Sequence, residues 1–475
     1  MAAERRLASV PRMIRLFRVF VPVGTLILLI SEIFLVFSAF ILATYIILDV
    51  DPKIYLLYEG GIVSIVLVLL SILIGLYLHD LYSEIFVKSR IALLQQLCLV
   101  IGIAFLTQGF IAYLSRNLRM PIHVMVLGSF MALTAIYAWR VFFSAYALRV
   151  VGRDKLLLVG GSPVLEEIGQ FIVDHPEKGL SVSGYVDDFH EMGFQLPGAK
   201  VLGPMNSLSQ IVDATQPNRI VVGMFERRNR LPVGELLNLR FAGHIIEEAF
   251  TAYERVCGRI CLNELRPSHL IYTGELGPSR SVLVYQHFTN FTAAAIGLIL
   301  TSPFMLIAAL VVRVSSPGPI LYRQVRVGLN GAPFTLHKFR SMRADAEADT
   351  GAVWASKDDP RITPAGRVLR KLRLDELPQL FNVLKGEMAI VGPRPERPEF
   401  VKILSEQIPY YHQRHAVLPG ITGWAQINFK YGDTLEDTVT KLEFDLYYIK
   451  NMSAGLDLYI IFHTLKAVLL SRGAQ

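Results

Sequence analysis

Hydrophobic and polar positions divide the chain into two textures. Up to residue 147 the apolar residues come in long runs; beyond it they come in short bursts broken by glycine, proline and charge. The long runs are roughly 19–48, 60–79, 92–114 and 121–147. Each approaches or exceeds the ~20 residues a helix needs to cross a bilayer. Four such runs in succession predict a bundle of four transmembrane helices rather than a buried helical core. Arg5, Arg6, Arg12, Arg15 and Arg18 lie at or before the start of the first run. Lys88 and Arg90 follow the second, and Arg149, Arg153 and Lys155 follow the fourth. Positive flanks gather on the cytoplasmic side. The segment 1–18 and everything after residue 147 are therefore expected in the cytoplasm, with Arg116 and Arg119 a mild exception to the rule. No cleavable signal peptide is expected, because the first run is too long and no small-residue cleavage site closes it.

After Arg153 the pattern becomes that of alternating strands and helices. "KLLLVGGSPVLEEIGQFIV" reads as a buried strand, a glycine turn and a helix; "VSGYVDDF" and "RIVVGMF" read as further strands. Such alternation predicts a parallel, doubly wound α/β domain over 148–285. Gly160, Gly161 and Ser162 form a turn of the kind that lets backbone amides approach a phosphate. The full G-x-G-x-x-G is missing, which favours a structural or regulatory module over a catalytic cofactor site.

Composition supports the membrane reading. Hydrophobic residues make up 52% of the 475 and charged residues 18%, against about 25% charged in an ordinary soluble domain. Net charge is +7. In so apolar a chain this points to positive-inside flanks and to binding of anionic lipid or phosphates, not to nucleic acid. Cys98, Cys257 and Cys261 are the cysteines; the last two lack the second pair that a zinc site needs and read as reduced thiols.

A fifth apolar run, "FTNFTAAAIGLILTSPFMLIAALVVRV" at 287–313, carries Ser302 and Pro303 in its middle. Proline removes a backbone donor and kinks a helix, and the Ser302 hydroxyl is placed to satisfy a freed carbonyl. A fifth full crossing would export the remainder of the chain, which is rich in phosphate-binding residue types. Arg280 precedes the run and Arg313, Arg323 and Arg326 follow it. Basic flanks on both sides predict a re-entrant, kinked helix that enters and leaves on one face.

The candidate chemistry lies beyond it. A strand pair is expected about "GLNG", with Lys338 and Arg340 near its end. "TPAGRVLRKLRLDELPQL" opens with Thr363 and Pro364, a good helix start, and its basic and apolar positions suit either anionic lipid or water. Asp375 and Glu376 then stand side by side before Pro378. They read equally as a helix cap with a dipole partner, or as a nucleophile beside a ligand for Mg²⁺, which prefers oxygen donors. "GPRP" follows, presenting Arg394 between two prolines, and the guanidinium fork suits phosphate. Trp424 in "LPGITGWAQIN" reads either as the wall of a nucleotide or lipid site or as part of a packed turn. Asp445, Tyr448 and Asp457 fall on two C-terminal helices.

Taken together, the helix with Ser302 and Pro303, "SPGPI", "RVGLNG", "FTLHKFRSM", "LRLDELPQLFNVLKGEMAIVGPRP", "PGITGWAQIN" and "DLYYIKN" resemble the bacterial sugar transferases, the monotopic polyprenyl-phosphate sugar-1-phosphate transferases. The resemblance is strong over 286–475, and the first 285 residues resemble the amino-terminal half of the family's large members, with four membrane helices and a Rossmann-like domain. It implies an α-rich catalytic domain anchored by the re-entrant helix in the bacterial inner membrane. It also implies transfer of a sugar-1-phosphate from a UDP-sugar to undecaprenyl phosphate, with release of UMP and a role in exopolysaccharide or related glycoconjugate synthesis. Asp375 carries over as the nucleophile that forms a phosphosugar-aspartyl intermediate, and Glu376 as its partner, with Mg²⁺ held at the pair. Lys338, Arg340, Arg370 and Arg394 carry over as phosphate- or substrate-binding positions. "FKYGDTLED" departs from the family's usual continuation after "QIN", which leaves the sugar open, with glucose and galactose the leading expectations. A homodimer is expected from the large membrane portion. Two other readings compete. A membrane-anchored nucleotide-sugar dehydratase would need an intact G-x-x-G-x-x-G and a Tyr-x-x-x-Lys pair in 150–280, and neither is present. A silent scaffold for a polysaccharide assembly sits poorly with intact Asp-Glu and Pro-Arg-Pro sequences.

Overall fold

The computed structural model describes residues 13–16, 19–49, 51–82, 87, 89–147, 154–223, 232–265, 280–343, 346, 359–429 and 434–470. Of the flanking charges used above, Arg5, Arg6, Arg12, Arg18, Lys88, Arg149 and Arg153 lie outside the described residues. The chain forms two compact units. One is Phe20–Glu248 with Met1–Arg15, the other Ala249–Gln475 with Leu16–Val19.

The first unit holds four helices long and apolar enough to cross a membrane: α1 (Val23–Ile47), α2 (Gly61–Leu78), α3 (Arg90–Leu114) and α4 (Ile122–Phe142). Their shared core includes Val36, Phe40, Ile65, Ile72, Leu97, Val100, Val124 and Ile136. Gly128 on α4 has no side chain because the Phe40 ring fills that space: a Cβ there would lie 2.5 Å from the ring. One ion pair is buried in this apolar setting. Arg140 Nε lies 2.6 Å from Glu32 Oε1, and Arg140 Nη1 donates to the Leu81 carbonyl at 2.7 Å. A buried charge is tolerated only when paired and hydrogen-bonded, and these bonds tie α1, α4 and the end of α2 together.

The same unit contains a six-stranded sheet. Its elements are β1 (Asp154–Val159), α5 (Pro163–Asp174), β2 (Leu180–Val186), β3 (Gln195–Leu196), β4 (Ala199–Gly203), α6 (Leu208–Thr215), β5 (Arg219–Val222), α7 (Val233–Phe241) and β6 (Ile245–Glu248). The order is β3-β4-β2-β1-β5-β6. All pairings are parallel except that of the short edge strand β3 with β4, so the expected parallel sheet is a mixed one. The core strand β1 is buried from Leu156 to Val159. At the turn after β1, Ser162 caps α5 through Val164 N at 3.2 Å. Gly161 lies under the Phe189 ring, 2.5 Å from where its Cβ would be. That contact gives the glycine a packing role.

The second unit begins with α8 (Ala249–Cys257) and continues with α9 (Arg280–Ser315). The hairpin β7 (Leu321–Val327) and β8 (Pro333–Phe339) follows, antiparallel about "GLNG" as expected, with Asn330 at φ 54°. Next come α10 (Pro364–Lys371), α11 (Gln379–Leu384), β9 (Ala389–Val391), α12 (Pro398–Gln407), β10 (Gly420–Thr422), α13 (Trp424–Asn428), α14 (Leu435–Asn451) and α15 (Ala454–Leu469). The short strands β9 and β10 pair in parallel.

Helix α9 is assigned without a break over 36 residues, with Pro303 inside it. The Ser302 hydroxyl donates to the Ile299 carbonyl at 2.8 Å, the acceptor that Pro303 leaves without its amide. One stripe of α9 is buried along the helix, at Gln286, Asn290, Ala294, Ala308 and Val312. Asn290 Oδ1 accepts from Ile390 N at 3.0 Å. Ala294 packs with Leu336, Val383 and Met388, and Ala308 and Val312 pack with Phe339 and Leu369. Elsewhere on its surface the helix exposes Phe288, Phe291, Ile299, Leu300, Phe304, Leu306 and Leu310.

Residues 249–265 form a strap across α14. Glu254 pairs with Lys450 Nζ at 2.7 Å and accepts from Asn451 at 3.1 Å. The buried Glu443 accepts from Leu262 N at 3.0 Å and pairs with Arg259 at 3.1 Å. Trp424 donates its indole N–H to Gly258 O at 2.8 Å and stacks on Tyr447, with ring centroids 5.4 Å apart. Of the two readings of Trp424, the structure therefore gives the packed turn. Cys257 and Cys261 both lie within the strap and are buried.

Candidate active site

The acidic pair is placed by a reversal of the backbone between two helices. Thr363 Oγ1 accepts from Gly366 N at 2.9 Å and starts α10. Gly366 is required because a Cβ would lie 1.9 Å from Ser341 O. After α10 ends, Arg373 takes φ 56°, ψ 18°, a left-handed conformation that costs a residue with a Cβ about 1 kcal/mol or more. A 3₁₀ turn, Leu374–Glu376, then carries both acids, and α11 begins after Pro378. Pro378 stands at the N-cap and no side chain caps α11. Neither acid is thus a helix cap, and with α11 only 6 residues long the helix dipole is not what stabilises them.

Glu376 Oε1 accepts from Arg394 Nη2 at 2.8 Å and Lys338 Nζ at 3.3 Å. Burial pushes the Glu376 carboxyl up, but Arg394 and Lys338 outweigh it and hold the group well below the usual carboxylate range. Asp375 is 7% exposed, and its Oδ1 has no hydrogen-bond partner. Burial, then the neighbouring Glu376 charge, push its carboxyl up; Lys338, Arg370 and Arg373 pull it partly back. The pair therefore divides its work: its cations hold Glu376 ionised, while burial and Glu376 make the Asp375 anion costly. Burial lowers the Lys338 ammonium, with Glu376 opposing.

Of the basic positions anticipated, Lys338 and Arg394 meet at Glu376. Arg370 donates from Nε to Ser341 Oγ at 2.9 Å and its charge acts on Asp375. Arg340 is not brought in. Its Nη1 donates to Pro317 O at 3.0 Å and its Nη2 to Ser316 O at 2.7 Å and Oγ at 2.8 Å, which fastens the "SPGPI" turn to the end of β8.

Arg394 is presented by a segment held on several sides. Gly392 N donates to Thr422 O at 2.8 Å, and Gly420 N to Pro393 O at 2.9 Å. The chains approach so closely that a Cβ on Gly420 would lie 2.1 Å from Gly392 N, and one on Gly423 2.3 Å from Gly392 O. This explains the glycines of "VGPRP" and "PGITG". Further on, Arg326 Nη1 donates to Pro395 O at 3.0 Å, Arg414 Nη2 to Arg394 O at 3.0 Å, and Tyr448 Oη to Val391 O at 3.2 Å. Sequence reasoning missed Arg414. Its one signal is a lone arginine three residues after Tyr411, whose hydroxyl it bonds at 2.7 Å.

The donor set can be tested for a divalent ion. Among the described residues no group of three or more His, Cys, Asp or Glu side chains converges to hold one. The unpartnered Asp375 Oδ1 is a free carboxylate oxygen, while Glu376 Oε1 is committed to two cations. Mg²⁺ often binds through one or two carboxylates plus substrate phosphates, so the residues fit an ion shared with a phosphate ligand and not one caged by protein alone.

A family model described as bacterial sugar transferase matches residues 282–471. A UDP-N-acetylgalactosamine-undecaprenyl-phosphate N-acetylgalactosaminephosphotransferase of Aeromonas hydrophila is 44% identical over 222 residues, 47% of this chain and 52% of that protein. A UDP-glucose:undecaprenyl-phosphate glucose-1-phosphate transferase of Escherichia coli (strain K12) is 46% identical over 177 residues, 37% of this chain and 38% of that protein. A protein of the same description from Xanthomonas campestris pv. campestris is 34% identical over 341 residues, 68% of both chains. The match thus spans about half of the first relative's length and two thirds of the last.

Proposed function

Because the chain belongs to the bacterial sugar transferase family, we propose that it transfers a sugar-1-phosphate from a UDP-sugar to undecaprenyl phosphate and releases UMP. The apolar helices and the relatives make it a bacterial membrane protein. The observation that carries the reaction is the acidic pair: a buried Asp375 with an unpartnered oxygen beside a Glu376 clamped by Lys338 and Arg394.

In the proposed sequence a carboxylate oxygen of Asp375 attacks the phosphorus that bears the sugar. The bond from that phosphorus to the bridging oxygen breaks, and UMP leaves with the electron pair. A phosphate oxygen of the lipid then attacks the same phosphorus and displaces Asp375, which regains its carboxylate. A nucleophile whose anion is destabilised by burial and by Glu376 is more reactive than a solvated one. Arg394 and Lys338 offset the charge that both phosphate substrates bring. Asp375, with Glu376 beside it, is proposed to hold Mg²⁺, which when bound neutralises diphosphate charge. The relatives' names divide between N-acetylgalactosamine and glucose, so the donor is proposed only as a UDP-sugar.

The stripe of α9 against its own unit supports a re-entrant placement. At 36 residues the helix is about 54 Å long, yet residues from Gln286 to Val312 pack on the catalytic core. A helix crossing a ~30 Å hydrocarbon layer would have to carry that polar unit in with it. A shallow anchor with the catalytic unit on the cytoplasmic side fits better.

The test is UMP release from a panel of UDP-sugars with undecaprenyl phosphate and Mg²⁺. A donor alone, without lipid, is expected to leave a phosphosugar on the peptide carrying Asp375, read by mass spectrometry. Release of UMP from no UDP-sugar in the panel would refute the activity. Turnover with no adduct at Asp375, and full activity in Asp375→Asn, would refute the nucleophile.

A further inference from the structure

Arg414 lies outside the acidic pair and its cations, yet it is buried in the unit and directed at the segment that presents Arg394. Its Nη2 donates to the Arg394 carbonyl at 3.0 Å and to Asp445 Oδ2 at 2.8 Å, and its Nη1 donates to Tyr411 Oη at 2.7 Å. Side-chain exposure is 8% for Arg414 and 4% for Asp445. A guanidinium forks rigidly, so anchoring two of its nitrogens leaves one geometry for the third contact. One turn further along α14, Tyr448 holds Val391 O at 3.2 Å and Asp457 Oδ1 at 2.7 Å. Asp445 and Tyr448 are three residues apart and share a face of the helix. From that face α14 grips the Arg394 segment at two carbonyls.

Resting on the transferase reading above, we propose that Asp445 and Arg414 are positioning residues for Arg394: their ion pair fixes the backbone from which that guanidinium reaches the donor's phosphate. Neither touches substrate. Both prolines beside Arg394 restrict their own φ, so the carbonyl between them is where the remaining freedom of the segment is controlled. Loosening it moves the guanidinium relative to Glu376 and weakens phosphate binding without unfolding the unit.

The pair also links placement to pH. Burial raises the Asp445 carboxyl, and Arg414 lowers it only partly, leaving it at about 6. Glu396 from the Arg394 segment adds to the rise and Lys441 from α14 opposes it. Tyr411 and His415 share the segment of Arg414; burial and then Arg414 hold His415 down at about 4, so it is neutral in this range. Above about pH 6 Asp445 is an anion and the grip is closed; below it Asp445 is protonated and the charge that orients Arg414 is gone. Asp457, raised by burial to about 7, titrates separately.

The test compares Asp445→Asn with wild type in the full membrane-embedded chain. Asparagine keeps the shape and an acceptor but not the charge. At pH 7.5 kcat/KM for the UDP-sugar is expected to fall at least about tenfold, mostly through KM. The acid limb near pH 6 should vanish, while any limb near 7 from Asp457 persists. Hydrogen exchange needs no substrate: peptides covering 389–397 should lose protection in Asp445→Asn while 435–451 keeps it. Kinetics within twofold of wild type with the limb retained, or unchanged exchange at 389–397, would overturn the proposal. Should Asp445→Asn not fold, Tyr411→Phe removes the other anchor of Arg414 and keeps the charge. It should raise the donor KM several-fold with the limb in place, and an unchanged KM would overturn the proposal. Absence of turnover in wild type would instead refute the transferase reading, and the exchange result would still decide this one.

Discussion

At the scale of single residues, Asp375 illustrates how a fold can hold a reactive group at the expense of its own stability. Its carboxyl is raised by burial and by Glu376. A group whose folded pKa lies above its unfolded value contributes stability below the unfolded pKa and loses it as pH rises through the folded one. At neutral pH the wild type therefore carries that penalty. Asp375→Asn is expected to reduce UMP release about a thousandfold or more while giving a thermal midpoint at or above wild type at pH 7 to 8, with the advantage shrinking toward pH 4. A midpoint well below wild type at pH 8 would contradict this account. Glu376 behaves oppositely. Burial raises it, but its two cations lower it further, so its stabilisation is present above the unfolded carboxylate value and is lost only as pH falls below it. Glu376→Gln leaves Lys338 and Arg394 facing each other and should cost about 3 kcal/mol, read as a lowered denaturation midpoint. The acidic pair was legible because two adjacent acids before a proline are conspicuous. Arg340 is directed away from the pair, and the reason is geometric. Residues two apart on a strand share a face, but β8 ends at Phe339. Arg340 lies just past the end and turns to the Ser316 and Pro317 carbonyls. Residue type showed a cation, while its direction depended on where the strand stopped.

At the scale of elements, periodicity was informative where runs were long. The helices α1 to α4 fall within two residues of the apolar runs at most ends, except where α1 starts at Val23 and α4 ends at Phe142. The strands β3, β4 and β6 were not anticipated, because two to five residues such as "QL", "AKVLG" and "IIEE" carry too little alternation to stand out. The pairing of β9 with β10 was likewise invisible, since it is built from glycines whose reason is close backbone approach. Gly420→Ala would place a Cβ 2.1 Å from Gly392 N. Relieving that needs backbone movement costing about 3 kcal/mol, and the same movement displaces Arg394. Loss of both stability and turnover is expected, measured by denaturation and UMP release; a stable variant with low activity would instead place the effect in the segment alone. In the apolar bundle, Glu32→Ala strands Arg140 without its counter-charge and should destabilise by about 3–5 kcal/mol, read by thermal denaturation in detergent.

At the scale of the whole molecule, the second compact unit begins at Ala249, while the family match begins at residue 282. The strap accounts for the difference. It supplies the Leu262 amide and Arg259 guanidinium to Glu443, the Gly258 carbonyl to Trp424, and Glu254 to Lys450 and Asn451. Glu443 and Asp445 lie on opposite sides of α14, about 200° apart, so the helix that grips the Arg394 segment with one face is backed by the strap on the other. A fragment starting at 282 leaves Glu443 without those partners and the Trp424 ring uncovered. It is expected to melt at least about 6 °C below a fragment starting at 249, given about 3 kcal/mol or more and roughly 2–4 °C per kcal/mol in a unit of this size; equal midpoints would show the strap to be dispensable. None of this was legible beforehand, because the strap carries no motif and its partners are more than 160 residues away, as with Trp424 and Gly258.

The strap also bears on how such chains are put together and taken apart. A family signature marks one stretch of a chain, and the seam along which a protein can be cut is set by who buries whom. Here the two do not coincide. A gene fusion or graft joined where the family model begins, at residue 282, would inherit the reacting groups without the backing of the helix that aims one of them. The portable piece of this molecule is longer than its family signature by the residues that hold α14 in place.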